Sequence, residues 1–480
     1  MNALVSESAS DVIVLGAGFS KAISMLMPDT DELGNAVLRQ LSDSPMRLPE
    51  RFTGGHFETW LSRIAEDQPD LSVSENLANR ALFQRCSEAL TIALNASAAA
   101  ATEEARSHAW FRRFLGTLHS RRATVITFNQ DILIEATTES AGLYSWGLPV
   151  SGRQEPILWH HLLGGQPPLP PGRWGVAPQP TFRLLKLHGS TNWFWQAGDM
   201  SGATVARWFL PGTVSPQEAV PDEAAALRQA LPGRVPLIVP PSASKSAFYQ
   251  TPILAQLWQD ARTALSAETV RVSLVGYSLP LTDLVTSGML QETLFERATQ
   301  PPTIDIVNLE VANVRNRLIR LGADANQITG VDSVSDFALQ FEQRAAADLV
   351  EQFRQDPETD IDRLMLVGSS IAGGMKVIEI RAGDGGDLEL HLEDARPPYS
   401  GTGVQRDDAP PALGVGRLLQ ELRRTSTKRM SAVTPNGGRH LIVGAAGHVT
   451  KPGAGNGRFQ VLITAEAVDN GNGPELAKYV

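Results

Sequence analysis

The sequence predicts an α/β fold: a doubly wound parallel sheet with a helical insertion, followed by a smaller β-rich C-terminal domain. Three observations carry this. Short apolar, β-branched runs alternate with helical stretches and short links through residues 10–330. A helical pattern over about residues 31–118 separates the first two runs. Beyond about residue 356 the chain turns glycine-rich, with short strand-like runs between turns.

The elements follow in order. Asp11–Leu15 (DVIVL) ends at Gly16 and reads as a buried strand feeding a glycine turn. The insertion holds two good helices, Glu75–Ala101 and Glu103–Leu118. Ala123–Phe128 is a second buried strand, and Asn129-Gln130-Asp131 leads from it into a helix. Gly164–Pro180 is rich in proline and glycine and reads as an exposed loop. Leu184–Leu187 is a short strand ending at His188-Gly189-Ser190, and Leu237–Val239 another, closed by Pro240-Pro241. A helix over about Thr251–Ser266 leads to strand Val270–Val275, which ends in Gly276-Tyr277-Ser278-Leu279. Helix Thr282–Ala298, strand Ile304–Val307 and helix Val311–Leu321 follow, and a last helix leads out after about Ser335. The pattern divides the chain into residues 1–355 and 356–480, with the boundary near Asp356–Asp360. The strand-like runs of the second part are Leu364–Val367, Met375–Ile380, His440–Val443 and Phe459–Thr464.

Composition narrows the function. A chain of 480 residues suggests two or three domains, and 42% hydrophobic with 20% charged residues is globular. A net charge of −10 argues against broad, sequence-independent nucleic-acid binding. Cys86 is the only cysteine, so no intrachain disulfide and no cysteine-rich zinc ribbon can form. No secretory leader is visible, and no run reaches the roughly 18 apolar residues of a membrane span. A cytoplasmic, membrane-free protein is the expectation.

Four polar or glycine clusters each follow a predicted strand. In open α/β sheets, ligands sit beyond the carboxyl ends of the strands, so the clusters should meet in one crevice. The first is Gly16-Ala17-Gly18-Phe19-Ser20. Its glycines would let the backbone approach a pyrophosphate, and the next helix would offer N–H donors. Lys21 stands where the dehydrogenase fingerprint has its last glycine. The second is Thr127-Phe128-Asn129-Gln130-Asp131, whose Asn129 and Asp131 equally suit a helix cap. The third is Lys186-Leu187-His188-Gly189-Ser190, whose His188 is a general base or a structural histidine. The fourth is Gly276-Tyr277-Ser278-Leu279, with Asn308 ending the next strand.

Taken together, their order and wording resemble the sirtuin superfamily. That family reads a GAG-x-S loop, an N-x-D loop, a catalytic histidine, a G-x-S loop and a V-N pair. Here these are Gly16–Ser20, Asn129–Asp131, His188, Gly276–Ser278 and Val307-Asn308, across about residues 10–330. The resemblance implies a Rossmann-like domain that binds NAD. One cysteine cannot build the four-cysteine zinc module of the family's protein deacylases. Met27-Pro28-Asp29 also lacks the arginine that deacylases usually carry after the first loop. The form Leu187–Trp193 (LHGSTNW) and the helical insertion look like the sirtuin-like effectors of bacterial anti-phage systems.

That likeness implies an NAD hydrolase that cuts the nicotinamide–ribose bond and starves an infected cell, with NAD as substrate and no metal. Asn129 would hold a ribose hydroxyl or the attacking water, and His188 would act as base. Asp131 would contact the nicotinamide amide or order its loop. Gly16, Ala17, Gly18, Phe19, Ser20, Thr127, Gly276, Ser278 and Asn308 would hold the rest of the dinucleotide. A homo-oligomer is implied, with a defence partner protein or a nucleic-acid-guided partner as trigger. Two other readings stand beside this one: an NAD-dependent protein deacylase, and a non-catalytic NAD or nucleotide sensor. Trp193 and Trp195 read as core residues, His160-His161 as no metal site, and Arg417–Arg429 as a solvated amphipathic helix.

Overall fold

The computed structural model describes residues 10–42, 48–121, 123–140, 182–196, 205–207, 233–242, 245–266, 270–280, 283–296, 298, 300–355, 363–366, 375–383, 386–394, 413, 415–433, 435, 437–448 and 458–463. The Gly164–Pro180 loop, His160-His161 and the boundary at Asp356–Asp360 lie outside the described residues.

The first strand, β1 (Ser10–Leu15), runs straight through Gly16 into helix α1 (Ala17–Ile23). The insertion follows as α2 (Thr30–Gln40), α3 (His56–Ala65), α4 (Val73–Ser107) and α5 (Ala109–Arg121). Both α2 and α4 start at capping boxes, Asp29 with Glu32 and Ser72 with Glu75. The sequence breaks α4 near Thr102, but the helix continues to Ser107. Its alanine-rich turn favours helix, and the Thr102 hydroxyl donates back to the Ala98 carbonyl at 2.7 Å. The break falls at His108, whose backbone is extended.

Next come β2 (Thr124–Thr127), α6 (Leu133–Ser140) and β3 (Arg183–Lys186). A small antiparallel sheet is inserted here: β4 (Gly189–Trp195), flanked by β5 (Ala206–Arg207) and β6 (Val235–Ile238). The expected strand Leu237–Val239 therefore belongs to this side sheet, and β4 is a strand that the histidine cluster concealed. Trp193 and Trp195 point into the core, as read. The chain returns through helix Pro252–Leu265 to β7 (Val270–Val275). The helix expected over Thr282–Ala298 is shorter, Leu284–Leu290, and widens into a π-helical turn, Gln291–Glu296. Then follow β8 (Thr303–Val307), helix Val311–Leu321, the unforeseen strand β9 (Ile328–Val331) and the long helix Val334–Gln355.

Six strands form one all-parallel sheet, in the order β3-β2-β1-β7-β8-β9. Counted along the chain within the sheet, that is 3-2-1-4-5-6, the Rossmann-like doubly wound order. Both faces of the central strands are covered, so those strands are largely apolar, with a few buried polar residues such as Asp11 and Asp305. The period of two is plain on β1: Val12 and Val14 enter one core, Ile13 and Leu15 the other. The insertion has its own core around Phe57, Leu61, Leu90 and Cys86. Burial pushes the Cys86 thiol up to about 12, so it stays protonated and inert.

The C-terminal part is a second six-stranded sheet, mixed in direction. It comprises β10 (Arg363–Leu366), β11 (Met375–Ala382), β12 (Leu388–Asp394), β13 (Met430–Val433), β14 (Arg439–His448) and β15 (Arg458–Ile463). Helix Val415–Arg424 presents Arg417, Arg423 and Arg424 outward and buries Leu418 and Leu422. The long helix Val334–Gln355 joins the two parts through one stripe spaced by four. Phe337 and Phe341 lie in the parallel-sheet core, Ala345 against Leu441 and Val443, and Leu349 and Phe353 in the C-terminal core. Among the described residues, no helix is long and apolar enough to cross a membrane.

Buried acids pin α5 and the long helix to the sheet and to each other. Arg121 reaches Asp11 on β1 at 2.7 Å, Arg344 reaches Asp305 on β8 at 2.7 Å, and Arg113 pairs with Glu342. Glu342 is almost wholly buried. Glu342→Gln should cost about 3–5 kcal/mol, because Arg113 keeps its charge without a counter-ion. The double variant Arg113→Met, Glu342→Met should recover most of that loss. Urea unfolding of the three proteins checks both statements.

Candidate functional site

The parallel strands end level. Leu15 stands opposite Thr127 and Val275, Thr127 opposite Lys186, and Val275 opposite Val307. The segments carrying Gly16–Ser20, Asn129–Asp131, His188, Gly276–Ser278 and Asn308 therefore leave one edge of the sheet. The order reverses between β1 and β7, which is where such sheets leave a ligand crevice.

At that point two glycine loops pack backbone to backbone. Gly16 N donates to Val275 O at 3.1 Å, Gly18 N to Gly276 O at 3.0 Å, and Gly276 N to Val307 O at 2.8 Å. Gly276 has a φ of +62°, and a Cβ there would lie 2.0 Å from Phe19 N. A Cβ on Gly16 would lie 2.7 Å from Gly276 O. The glycines are thus required by the fold itself. Phe19 N also donates to Gly16 O at 2.9 Å, so three N–H groups of the expected phosphate cradle are engaged with protein carbonyls. Ala17 and Gly18 are exposed on the loop's outer side. The Phe19 ring turns into the core against Phe111 and Phe114, so Phe19 offers the site only its backbone.

Asn129 is tied directly to this loop. Its Nδ2 donates to Gly16 O and to Ser20 Oγ, both at 2.9 Å. Ser20 Oγ in turn donates to Asp131 Oδ2 at 2.7 Å. Thr127 Oγ1 accepts from Asn129 N at 3.0 Å and so sets the turn. Asp131 also accepts from Leu133 N at 3.1 Å, which makes it a cap of α6 as well as a brace for Ser20. Beneath it lies Lys186, only 1% exposed. Its ammonium donates to Asp131 O at 2.5 Å, Glu135 Oε1 at 2.8 Å and Ser190 Oγ at 2.8 Å. This buried cation is fully engaged, as burial demands.

His188 sits in a separate, aromatic neighbourhood. Its ring lies 5.1 Å from that of Phe128, the residue before Asn129, and Phe128 stacks on Tyr277 at 4.7 Å. Tyr249 Oη is 3.3 Å from His188 Nε2. Tyr277 Oη donates to Asp283 at 2.8 Å, and Lys245 approaches the same carboxylate at 3.7 Å. His188 is 7% exposed. Burial, helped by the Lys245 charge and opposed by Asp283, pulls its imidazole down to about 3. The ring is therefore neutral with a lone pair free at any ordinary pH.

The remaining predicted residues serve the loops. Asn308 Nδ2 donates to Tyr277 O at 3.3 Å, and its Oδ1 accepts from Glu310 N at 2.9 Å. The Ser278 side chain is exposed, and its carbonyl accepts from Arg317 at 2.7 Å. Arg317 also holds Leu279 O at 3.1 Å. Among the described residues, Leu279 is the one non-glycine residue with positive φ, +51°, so the clamp retains a strained turn beside the crevice. The sequence reading missed Lys245, Tyr249 and Asp283. Asp283 lies five residues past the Gly-x-Ser loop, and Lys245 and Tyr249 follow Pro240-Pro241 with no periodic pattern to mark them. Among the described residues, no group of His, Cys, Asp and Glu is arranged to hold a metal ion. No family model matches the chain, and no curated protein matches it.

Two outcomes follow. Gly276→Ala should destabilise by more than the ~1–3 kcal/mol of backbone strain alone. Gly54→Ala is the control, with φ +66° but open space around it, and should lose only the strain. Urea midpoints of the two variants compare them. For His188, the folded imidazole binds its proton more weakly than the unfolded one. Its contribution to stability is present above pH 6.5 and is lost as pH falls toward 3. Between pH 7 and pH 5 the wild type should lose about 2 kcal/mol more than His188→Gln. Equal losses in the two proteins would refute the neutral, buried histidine.

Proposed function

We propose that this protein hydrolyses NAD at the nicotinamide–ribose bond, giving nicotinamide and ADP-ribose. The observation that carries the reading is the placing of Asn129. Its amide bonds the glycine loop at the switch point of the sheet, with His188 beyond the end of the neighbouring strand. The likeness of the motifs to sirtuin-like effectors supports the same chemistry, a role in anti-phage defence, and action as a homo-oligomer under a partner's trigger.

The residues suit the roles. Nicotinamide leaves neutral, so no acid is needed at the leaving group. Asn129 already offers its amide at the crevice, and turning it from Ser20 to a ribose hydroxyl exchanges one hydrogen bond for another. Asp131 holds Ser20 and the turn in place. Neutral His188 accepts the proton released by the attacking water. The exposed outer side of Ala17-Gly18 leaves room for a pyrophosphate without a side chain in its path.

The second reading, a nucleotide sensor without turnover, draws on the committed N–H groups of the glycine loop. One experiment separates the two. Purified protein is incubated with NAD, with and without candidate triggers, and nicotinamide and ADP-ribose are followed alongside NAD binding. Asn129→Ala and His188→Ala should each lower turnover by about a hundredfold or more while remaining folded, as circular dichroism checks. Binding with no nicotinamide release under an effective trigger would favour the sensor. Full activity in both variants would sink the site assignment.

A further inference from the structure

The groups that reach His188 come from a segment that no motif marks. After β6 the chain runs through Lys245 into the helical turn Ser246–Tyr249. Phe248 N and Tyr249 N both donate to Lys245 O, at 3.0 and 3.2 Å. Residues four apart on a helical turn share a face, so Lys245 and Tyr249 project together. Both meet the site: the Lys245 ammonium faces Asp283, and the Tyr249 hydroxyl faces His188 Nε2. The turn is held at its far end by Thr251 N on Phe248 O, and Pro252 opens the following helix. Trp258 on that helix meets the Tyr249 ring edge-on at 5.0 Å and fixes it from the side.

Exposure differs across the pair. His188 is buried under Phe128, whereas Tyr249 is only partly buried. Among the described residues, Tyr249 supplies the side-chain hydrogen bond to the imidazole. Tyr249 is thus the less buried member of the pair it forms with the imidazole.

We infer that Tyr249 is a further catalytic residue, the group through which His188 takes its proton. This rests on the hydrolase reading above. As the attacking water forms its bond to the ribose carbon, its O–H breaks and the proton passes to Tyr249 Oη. The Tyr249 O–H breaks in the same step, and its proton goes to His188 Nε2. Nicotinamide leaves neutral with the electron pair of the broken C–N bond. Tyr249 ends neutral, and His188 ends as imidazolium, which returns the proton to solvent.

The surroundings set the direction. Lys245 opposes a charge on the resting imidazole, and Asp283 and burial oppose ionisation of the Tyr249 phenol. Both groups are thus neutral, and the relay requires the tautomer with the hydrogen on Tyr249 Oη, the lone pair on His188 Nε2 and Nδ1 protonated. The other charged groups of the adjoining elements have partners of their own: Asp131 with Ser20, Lys186 with Glu135, and Asp283 with Tyr277.

The test uses the full chain and Tyr249→Phe, which keeps the ring packed on Trp258. Nitrogen-15 spectra of histidine-labelled protein should show His188 as the Nδ1–H tautomer, with a hydrogen-bonded, unprotonated Nε2. Tyr249→Phe should lose that hydrogen-bond shift at an unchanged urea midpoint. In the nicotinamide-release assay its kcat should fall about a hundredfold, with KM little changed. A His188 spectrum identical in the two proteins, a protonated Nε2 in the wild type, or full kcat in Tyr249→Phe would each overturn the inference. A wild type that releases no nicotinamide under an effective trigger overturns the hydrolase reading and the relay with it. The spectrum still decides the Tyr249–His188 hydrogen bond.

Discussion

The site depends on one close approach, the backbone of Gly16–Gly18 against the backbone of Gly276. It occurs where β1 and β7 end side by side and the sheet changes direction. No side chain fits between the two loops, and their amides and carbonyls satisfy one another. Asn129 then bonds the outer loop from the side, and Asn308 bonds Tyr277 from the next strand. Four segments distant in sequence are held within one neighbourhood by backbone groups and two amides. The pyrophosphate-binding reading of such glycines and their structural reading are thus not rivals. Gly16 and Gly276 serve the packing, and the exposed Ala17-Gly18 face is what remains for a ligand.

The charged groups buried around the parallel sheet do different work. Arg121 and Arg344 neutralise Asp11 and Asp305 and fasten helices to the sheet, and Arg113 with Glu342 fastens the two helices to each other. Lys186 is equally buried but sits under the Asn129–Asp131 turn, where it holds carbonyl, carboxylate and hydroxyl together. Lys245 differs from both. Its contact with Asp283 is long, 3.7 Å, and its charge opposes protonation of the neighbouring imidazole while Asp283 favours it.

What the sequence made legible follows from periodicity and local turn chemistry. Runs such as DVIVL and ATVITF are buried on both faces, so they stood out as strands, and Gly16 after the first and Asn129 after the second placed the edge. The strand order then brought the expected clusters to that edge. The missed parts share a cause. β4 begins inside the histidine cluster, so Gly189–Trp195 read as a motif and not as a strand. β9 is one-sided and short, with Thr329 and Gly330 exposed, and gave no apolar run. Lys245 and Tyr249 act as a pair only because one turn of helix aligns them, and a four-residue turn has no period to detect. The opposition of Lys245 to His188 is a tertiary fact, formed between segments that no local pattern connects.

A histidine whose proton affinity is so depressed looks like a poor base, yet the proposed chemistry does not ask for a strong one. When the leaving group departs early, positive charge builds on the ribose before water has bonded to it. The water becomes acidic only as its oxygen bonds to that carbon, and by then its proton is held more weakly than any imidazole in this range would hold it. A base of low affinity can take such a proton. It gains something in return. It is not occupied by a proton beforehand, across the range where an exposed histidine would titrate. Burial under Phe128 and the nearness of Lys245 therefore trade strength for constant availability, and that trade suits a displacement in which bond breaking runs ahead of proton transfer.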